Sequence, residues 1–331
     1  VMVMRFSSRT VVLLLAGCLL LAGCNPFADG NAEKPAETSA ERGAAVAAPA
    51  AASSRMPARA DSTLVPPDSA TARAFSDAMR FARANDLHTQ PLGAIMQALG
   101  TRYAGRPYLA GTLDEPDTER LVVRFDGFDC VTFIETTLAM ARTIRAQTYR
   151  YADFARHMAD QRYRKGGPVG YCSRLHYFTD WIADNAARGA VRRLGPALGG
   201  RPLTDTLDFM STHRSAYDRF AANDSLYACI QDMEATVQAA QQQRPFRYVP
   251  QDSIRATYNQ LRAGDIVAFV TSIDGLDVAH TGLVYAHSDG RTGLLHASTS
   301  GGVVVLPDLQ RYVQQIDHQI GIVVARPVVE E

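Results

Sequence analysis

The segment Gly127-Phe128-Asp129-Cys130-Val131-Thr132-Phe133-Ile134-Glu135 places a cysteine at the start of a run with helical spacing. Apolar residues recur on one side of that run, which predicts a helix with one buried face: Val131, Ile134, Leu138, Ala141 and Ile144. Asp129 stands where a helix N-cap belongs. A thiol there lies near the positive helix end and free N–H groups, so we expect a lowered Cys130 pKa and a place for an oxyanion. The alternative is that Cys130 is a small buried core residue.

The second half of the chain has the pattern of a β-sheet. Short apolar segments separated by Gly, Asp and Ser turns predict five strands, at 264–270, 278–285, 292–297, 301–306 and 321–326. Helical segments precede them at 68–84, 92–103, 151–162 and 225–243, together with one short strand at 121–125. Helices followed by a meandering antiparallel sheet predict an α+β fold, with Cys130 at a helix N-terminus packed on that sheet.

Two histidines belong to neighbouring strands of the predicted sheet. His280 opens the second strand and His296 closes the third, so an antiparallel hairpin brings their side chains within hydrogen-bonding reach. If the Cys130 helix packs on that face, the three residues form a nucleophile, a base and an orienting group. His280 would then take the thiol proton and His296 would fix its tautomer. Taken singly, a strand histidine is more often a satisfied or exposed residue than a catalyst, whereas two histidines matched to a helix-start cysteine favour catalysis.

Four segments carry a resemblance to a known family: Asp129-Cys130, Leu261 to Val267, Ala279-His280-Thr281-Gly282-Leu283-Val284-Tyr285 and Leu294-Leu295-His296-Ala297. They resemble the landmarks of NlpC-type cell-wall peptidases, which are papain-like cysteine hydrolases of bacterial peptidoglycan. Gly105-Arg106-Pro107-Tyr108 resembles the loop with that family's tyrosine. Val131-Thr132 departs from the family's Ser-Gly, and with 171–185 it resembles the N-acetylmuramoyl-L-alanine amidase-like branch.

The resemblance implies a papain-like (NlpC-type) fold from about residue 92 to the end, and a catalytic set of Cys130, His280 and His296. Tyr108 would shape the site and its oxyanion region. The substrate would be peptidoglycan or muropeptides, cut at the MurNAc–L-Ala amide, and no metal or organic cofactor is expected. Three alternatives stay open: a stem-peptide endopeptidase cutting at D-Glu, a transferase, and a non-catalytic peptidoglycan-binding lipoprotein.

A polar aromatic segment at 171–181 is a candidate substrate-binding region. Arg174 can hold a carboxylate, His176 adds a polar ring, and Tyr177 or Trp181 can stack on a sugar. The alternative has equal weight: a helix packed by its aromatic residues, with Arg174 in a structural ion pair.

The N-terminus has the pattern of a lipoprotein signal. A short apolar run ends in Leu21-Ala22-Gly23-Cys24, which resembles a bacterial lipobox, so we expect residues 1–24 to be a signal peptide and Cys24 to be lipidated. A second copy, Leu15-Ala16-Gly17-Cys18, would leave a very short apolar run and is not preferred, and the alternative is an ordinary cleaved signal. Residues 25–67 are rich in Ala, Pro, Ser and Glu and predict a flexible tether, which leaves 68–331 as the catalytic domain. The predicted location is the periplasmic side of the cell envelope, anchored in a membrane.

Net charge and cysteine spacing bear on three further questions: nucleic-acid binding, metal binding and disulfide formation. The formal net charge is +0, which disfavours nucleic acid as a partner. The sequence has no CxxC or His/Cys spacing typical of a metal site. Cys172 and Cys229 are compatible with a disulfide in an oxidising compartment, but two buried free thiols are the favoured interpretation.

Overall fold

The structure is a computed structural model that describes residues 66–329. The predicted signal peptide, its Cys24 and the tether up to residue 65 lie outside these residues. Between residues 66 and 329, no helix combines the length and the apolar character needed to span a bilayer.

The helices begin and end close to the predicted positions. Helix α1 (Ser69–Ala84) is capped by Asp68, whose Oδ1 accepts from the Thr71 N–H at 2.7 Å. The described residues also contain α2 (Leu92–Arg102), α3 (Cys130–Arg145), α4 (Tyr151–Arg162), α5 (Phe178–Ala187), α6 (Phe209–Thr212), α7 (Asp218–Ala221), α8 (Asp224–Gln243) and α9 (Leu309–Gln314). Short 3₁₀ segments cover Leu87–Thr89, Arg164–Gly166, Tyr171–Ser173, Arg214–Ala216 and Gln251–Gln260.

An antiparallel sheet forms the second half, so the predicted α+β class is confirmed. Its strands are β1 (Val191–Arg193), β2 (Arg201–Pro202), β3 (Arg247–Pro250), β4 (Ile266–Thr271), β5 (Val278–Ala286), β6 (Thr292–Ser298), β7 (Gly302–Leu306) and β8 (Gln319–Pro327). The order is β2-β3-β8-β4-β5-β6-β7, and β1 also pairs with β8. Strands β4 to β7 are the predicted meander, and β8 returns to the outer side of β4.

The predicted strand at 121–125 is wrong, because this segment has no regular structure. Its apolar residues pack individually: Leu121 and Phe125 are buried in the main core, and the Val122 carbonyl accepts from Arg162 Nη1 at 2.7 Å. The strand pattern therefore reflected burial without a neighbouring strand to pair with. Strands β1, β2 and β3 were not predicted, since they are two to four residues long.

The two faces of the sheet belong to different cores. Leu283 and Leu295 share the main core with Phe133, Ile134 and other residues of α2 and α3. Val284 and Leu294 lie on the other face, in a second core covered by α9 and the 3₁₀ segment Gln251–Gln260. Helix α3 therefore packs against one face only, and its first residue lies at the end of that packing surface.

Cys172 and Cys229 form a disulfide, with their Cα atoms 5.9 Å apart. The favoured prediction of two free thiols is wrong. Cys172 lies in the 3₁₀ segment Tyr171–Ser173 and Cys229 in α8, and both elements contribute to a third apolar core. No sequence pattern shows this pairing, because the two residues are 57 positions apart and come together only through the packing of α8.

Candidate active site

Cys130 is the first residue of α3, and a capping box fixes the start of that helix. Asp129 Oδ1 accepts from the Thr132 N–H at 2.7 Å, and the Asp129 N–H donates to Thr132 Oγ1 at 3.0 Å. The N-cap prediction for Asp129 is confirmed. Thr132, at a position where the resembled family has glycine, supplies the second half of the box. Thr281 Oγ1 donates to the Cys130 carbonyl at 2.9 Å and joins this helix end to β5.

The Cys130 thiol is fully buried and protonated at neutral pH. Burial, followed by the nearby Asp129 carboxyl, raises the pKa of the thiol to about 11. The expectation of a lowered pKa is therefore wrong: desolvation of a thiolate outweighs the favourable helix end. A group has to remove the thiol proton before or during any nucleophilic attack.

The two predicted histidines form a hydrogen-bonded pair. His280 Nε2 lies 2.7 Å from His296 Nδ1, and the rings are near perpendicular at 83° with centroids 4.9 Å apart. Burial, and then the neighbouring His296, lower the pKa of His280 well below its usual value. Burial lowers the pKa of His296 to about 4. Both imidazoles are thus neutral at pH 7, and His280 keeps Nδ1 for another partner.

The histidines project from the sheet face opposite to the one that α3 covers. A bulge at Ala279 sets this arrangement: Val278 pairs with Val270, whereas His280 pairs with Phe269 and stacks on its ring at 5.7 Å. The sequence-based condition that the Cys130 helix packs on the histidine face is therefore not met. Thr281, next to His280, bonds the end of α3. Tyr312, whose ring contacts both imidazoles, also interacts electrostatically with Cys130.

Tyr312 is a site residue that the sequence did not indicate. Its ring lies 4.9 Å from that of His296 and 6.2 Å from that of His280. Burial raises the pKa of Tyr312 to about 12, with a further contribution from Cys130 and an opposing one from its hydrogen bond with Gln319. Helix α9 brings Tyr312 to the histidines, and it is too short for periodicity to reveal it.

Tyr108 lies beside Cys130. The loop around it runs along Phe128: the Leu109 N–H donates to the Phe128 carbonyl at 3.0 Å, and the Phe128 N–H donates to the Pro107 carbonyl at 3.1 Å. The Tyr108 side chain interacts with the Cys130 thiol and backbone. Burial, and then the charges of Cys130 and Asp129, raise the pKa of Tyr108, so it remains a hydroxyl donor.

Three of the four predicted binding residues at 171–181 have structural roles. Arg174 is buried, forms an ion pair with Asp114 and donates to the Leu113 carbonyl at 3.1 Å. Tyr177 is 2% exposed and donates to Glu234 at 2.7 Å.

Trp181 is likewise closed to a sugar. It is 1% exposed, stacks on Phe178 at 5.0 Å and donates to Glu135 at 3.2 Å. The expectation that Arg174, Tyr177 and Trp181 bind substrate is therefore not supported, and the alternative of a packed aromatic helix describes them. His176 is half-buried, with Nε2 2.8 Å from the Tyr171 carbonyl, and lines a small cavity with Asp129 and Val131.

Helix α3 carries one member of a buried ion pair, Glu135, beyond Cys130. Glu135, one turn and a half along α3, lies 2.7 Å from Arg162 of α4, and both side chains are 2% exposed. The sequence analysis did not single out either residue. Within residues 66–329, no three His, Cys, Asp or Glu side chains are grouped in a way that would hold a metal ion.

Comparisons with known proteins agree with this geometry. Residues 98–322 match the family described as AmiA-like, N-acetylmuramoyl-L-alanine amidase-like. The chain is similar to the crystal structure of an N-acetylmuramoyl-L-alanine amidase from Bacteroides uniformis ATCC 8492, with 31% identity and a TM-score of 0.66, over 72% of this chain and 99% of that one. A candidate xylanase from Bacteroides fragilis shares 34% identity with a TM-score of 0.63, over 69% and 98% of the two chains.

A more distant structure supports the fold alone. A protein from Legionella pneumophila str. Philadelphia 1 is 16% identical, with a TM-score of 0.57 over 78% of this chain and 96% of that one. Comparison with curated proteins gives no match.

Proposed function

The chain belongs to the AmiA-like, N-acetylmuramoyl-L-alanine amidase-like family, and we propose that it hydrolyses the MurNAc–L-Ala amide of peptidoglycan through a Cys130 acyl-enzyme. The observation that carries the mechanism is the 2.7 Å hydrogen bond between His280 and His296, on strands next to the N-terminus of the Cys130 helix. A neutral imidazole with one nitrogen engaged and the other available is what a general base requires.

The first step moves a proton from Cys130 to His280. His280 Nε2–H donates to His296 Nδ1, which leaves the Nδ1 lone pair of His280 to take the thiol proton. Sγ attacks the amide carbon, and its π electrons move to the oxygen. The backbone N–H at the start of α3 and the Tyr108 hydroxyl stabilise that oxyanion. The imidazolium then returns its proton to the amine, the C–N bond breaks, and a thioester remains.

The second step restores the enzyme. Neutral His280 takes a proton from water, the hydroxide oxygen attacks the thioester carbon, and the thiolate leaves and regains a proton from the imidazolium. The carboxylate of the muramoyl group is then free. Tyr312 packs on His296 and keeps that ring in place during both proton transfers.

A xylan-cleaving reaction fits these residues less well. Glycoside hydrolysis uses two carboxyl groups that flank the scissile bond. Near Cys130, Asp129 caps α3 and Glu135 is paired with Arg162, so neither carboxyl is placed to serve as a free acid or base.

Mass spectrometry of purified muropeptides after incubation with the protein tests the proposal, with Cys130→Ala as the matched control. Free stem peptide together with an unsubstituted sugar is the expected product. A shortened stem still attached to the sugar would identify an endopeptidase, and incorporation of an added amine would identify a transferase. Absence of any Cys130-dependent product from intact muropeptides would refute the proposed enzymatic activity.

We also make proposals for the fold family and for the cellular location of the protein. We propose that the domain has the NlpC-type papain-like fold, on the basis of a cysteine at a helix start and two hydrogen-bonded histidines on an antiparallel sheet. We also propose lipidation at Cys24 and a membrane-anchored, periplasmic location, on the basis of the Leu21-Ala22-Gly23-Cys24 motif. Metabolic labelling with radioactive palmitate should mark the wild type and not a Cys24→Ser variant. Equal labelling of both would exclude this anchor.

A further inference from the structure

A groove of ≈ 700 Å³ lies between α1 and the irregular segment that precedes Cys130. Its apolar lining includes Val122, Val123 and Tyr151, and the remaining lining is largely charged. Arg106 lines the groove and belongs to the loop Gly105-Arg106-Pro107-Tyr108, two residues before Tyr108. The steps proposed above assign no role to this groove.

The carboxylates that line the groove are already engaged. Arg124 binds Asp126 through two hydrogen bonds of 3.0 and 2.7 Å and lies 3.5 Å from Glu115. Asp68 caps α1. Each of the three carboxylates in the groove thus already has a partner, either Arg124 or the N-terminus of α1.

Three further arginines line the same groove: Arg73, Arg106 and Arg120. All three are exposed, and none forms a side-chain hydrogen bond or a salt bridge of 4 Å or less with residues 66–329. Arg73 and Arg106 act on Asp68 and Asp126 through charge alone. The groove therefore combines a partly apolar lining with a small excess of positive charge and three guanidinium groups whose N–H donors are available to a ligand. Guanidinium groups bind carboxylates bidentately, and an apolar surface accepts the aliphatic part of a peptide.

We propose that this groove binds the carboxylate-bearing stem peptide of the substrate, with Arg106 and Arg120 as the specificity-determining residues. This inference rests on the proposed amidase function. A peptide chain that leaves the scissile amide near Tyr108 meets Arg106 first and can continue along the groove. A concave site of this kind fits an extended peptide, whereas the flat surface of an anionic membrane contacts only its rim.

Two substrates separate stem-peptide recognition from the chemical step. One is a muramoyl tetrapeptide, which carries several carboxylates, and the other is N-acetylmuramoyl-L-alaninamide, which carries none in its peptide part. The measured quantity is the ratio of kcat/KM for the first substrate to kcat/KM for the second. Arg106→Ala and Arg120→Ala should each lower this ratio about tenfold, the effect of one lost charge-assisted hydrogen bond.

Matched variants control for charge and for folding. Arg201→Ala removes an exposed arginine on β2, outside the groove, and should keep the wild-type ratio. Arg120→Lys retains the charge and should recover part of the loss. Equal ratios in the wild type, Arg106→Ala and Arg120→Ala would overturn the proposal.

A binding measurement judges the groove even if the proposed reaction is wrong. Titration of the free tetrapeptide into Cys130→Ala should give binding that Arg106→Ala and Arg120→Ala, each added to the Cys130→Ala protein, weaken. If the wild type cleaves neither substrate, the amidase function fails, and this titration still decides the groove. The proposal would be overturned if Arg106→Ala and Arg120→Ala weakened binding to phosphatidylglycerol vesicles but left the tetrapeptide affinity unchanged. The ligand of the groove would then be an anionic membrane surface and not a peptide.

Discussion

At the scale of single residues, the chemistry depends on the protonation states of Cys130 and His280. Burial and Asp129 raise the pKa of the thiol to about 11, while burial and His296 lower the pKa of His280. The thiol therefore holds its proton more tightly than the imidazole accepts one. A neutral pair results, in contrast to the preformed thiolate–imidazolium pair of many cysteine hydrolases, and the proton has to move as the substrate is attacked.

Alkylation of the thiol measures this directly. The rate constant for reaction of Cys130 with iodoacetamide should rise with pH towards a midpoint near 11, above the ~8.5 of an unperturbed cysteine. Mass spectrometry of the alkylated peptide reports the rate, and the Cys172–Cys229 disulfide keeps the other two domain cysteines unreactive. A midpoint below about 8 would contradict this prediction and would mean that the helix N-terminus lowers the thiol pKa more than burial raises it.

The pH profile of catalysis follows from His280. A base has to be unprotonated, and the folded-state pKa of His280 lies well below its usual value of 6.5. The fraction of active enzyme should thus stay constant as the pH falls to 6.5 and decline only below it. Steady-state kcat/KM on a soluble muropeptide tests this. An acidic limb centred above pH 7 would show that the imidazole is not desolvated in the free enzyme.

Loss of the orienting histidine should weaken turnover more than binding. His296→Ala removes the acceptor of the 2.7 Å hydrogen bond, so His280 loses its fixed tautomer. We expect kcat to fall about 10²–10⁴-fold, the range of a general acid–base contribution, with KM changed much less. His318→Ala, at an exposed histidine before β8, is the matched control. Equal kcat values for His296→Ala and His318→Ala would show that His296 has no role in the proposed mechanism.

Residue types in the sequence predicted part of this site and missed another part. The positions of Cys130, His280 and Tyr108 were predictable because they depend on local sequence, at a helix start, a strand end and a glycine-bounded loop. The interpretation of Trp181 and Arg174 as substrate-binding residues is not supported, because Trp181 is buried against Glu135 and Arg174 against Asp114. Both partners come from distant segments of the chain, which the local sequence does not reveal.

At the scale of secondary-structure elements, long periodic segments were predictable and short ones were not. Helices α1, α3, α4 and α8 and strands β4 to β8 followed from their patterns. Helix α9 and strands β1 to β3 are too short to stand out. The bulge at Ala279 also has no sequence signature, although it decides which face of β5 presents His280.

The disulfide is the covalent link between two such elements. It closes a loop of 57 residues between Cys172 and α8. A Cys172→Ser/Cys229→Ser variant should lose about 4 kcal/mol in its free energy of unfolding, because the unfolded chain regains loop entropy. Urea unfolding measures the loss. The matched control is the wild type in reducing buffer, which should show a similar decrease, and unchanged stability in both would mean that α8 packs without the link.

At the scale of the whole molecule, two cores meet at the sheet and the site lies where they end. Helix α3 carries Cys130, the proposed nucleophile, on one face, and β5 and β6 present the histidines on the other. The ion pair of Glu135 and Arg162 holds α3 to α4 inside the main core. The site is thus rigid on both sides, as positioned acyl-transfer chemistry requires.

We expect the N-terminal 61 residues to be dispensable for the proposed chemical step. Within residues 66–329, the three apolar cores are formed by residues from Phe75 onwards, and helix α1 is capped by Asp68. A protein that begins at Ser62 should therefore fold with the melting temperature of the full chain and cleave soluble muropeptides with an equal kcat/KM. Differential scanning calorimetry and product mass spectrometry measure the two quantities. Matched melting temperatures with a large fall in kcat/KM would show instead that the N-terminal residues contribute directly to the site.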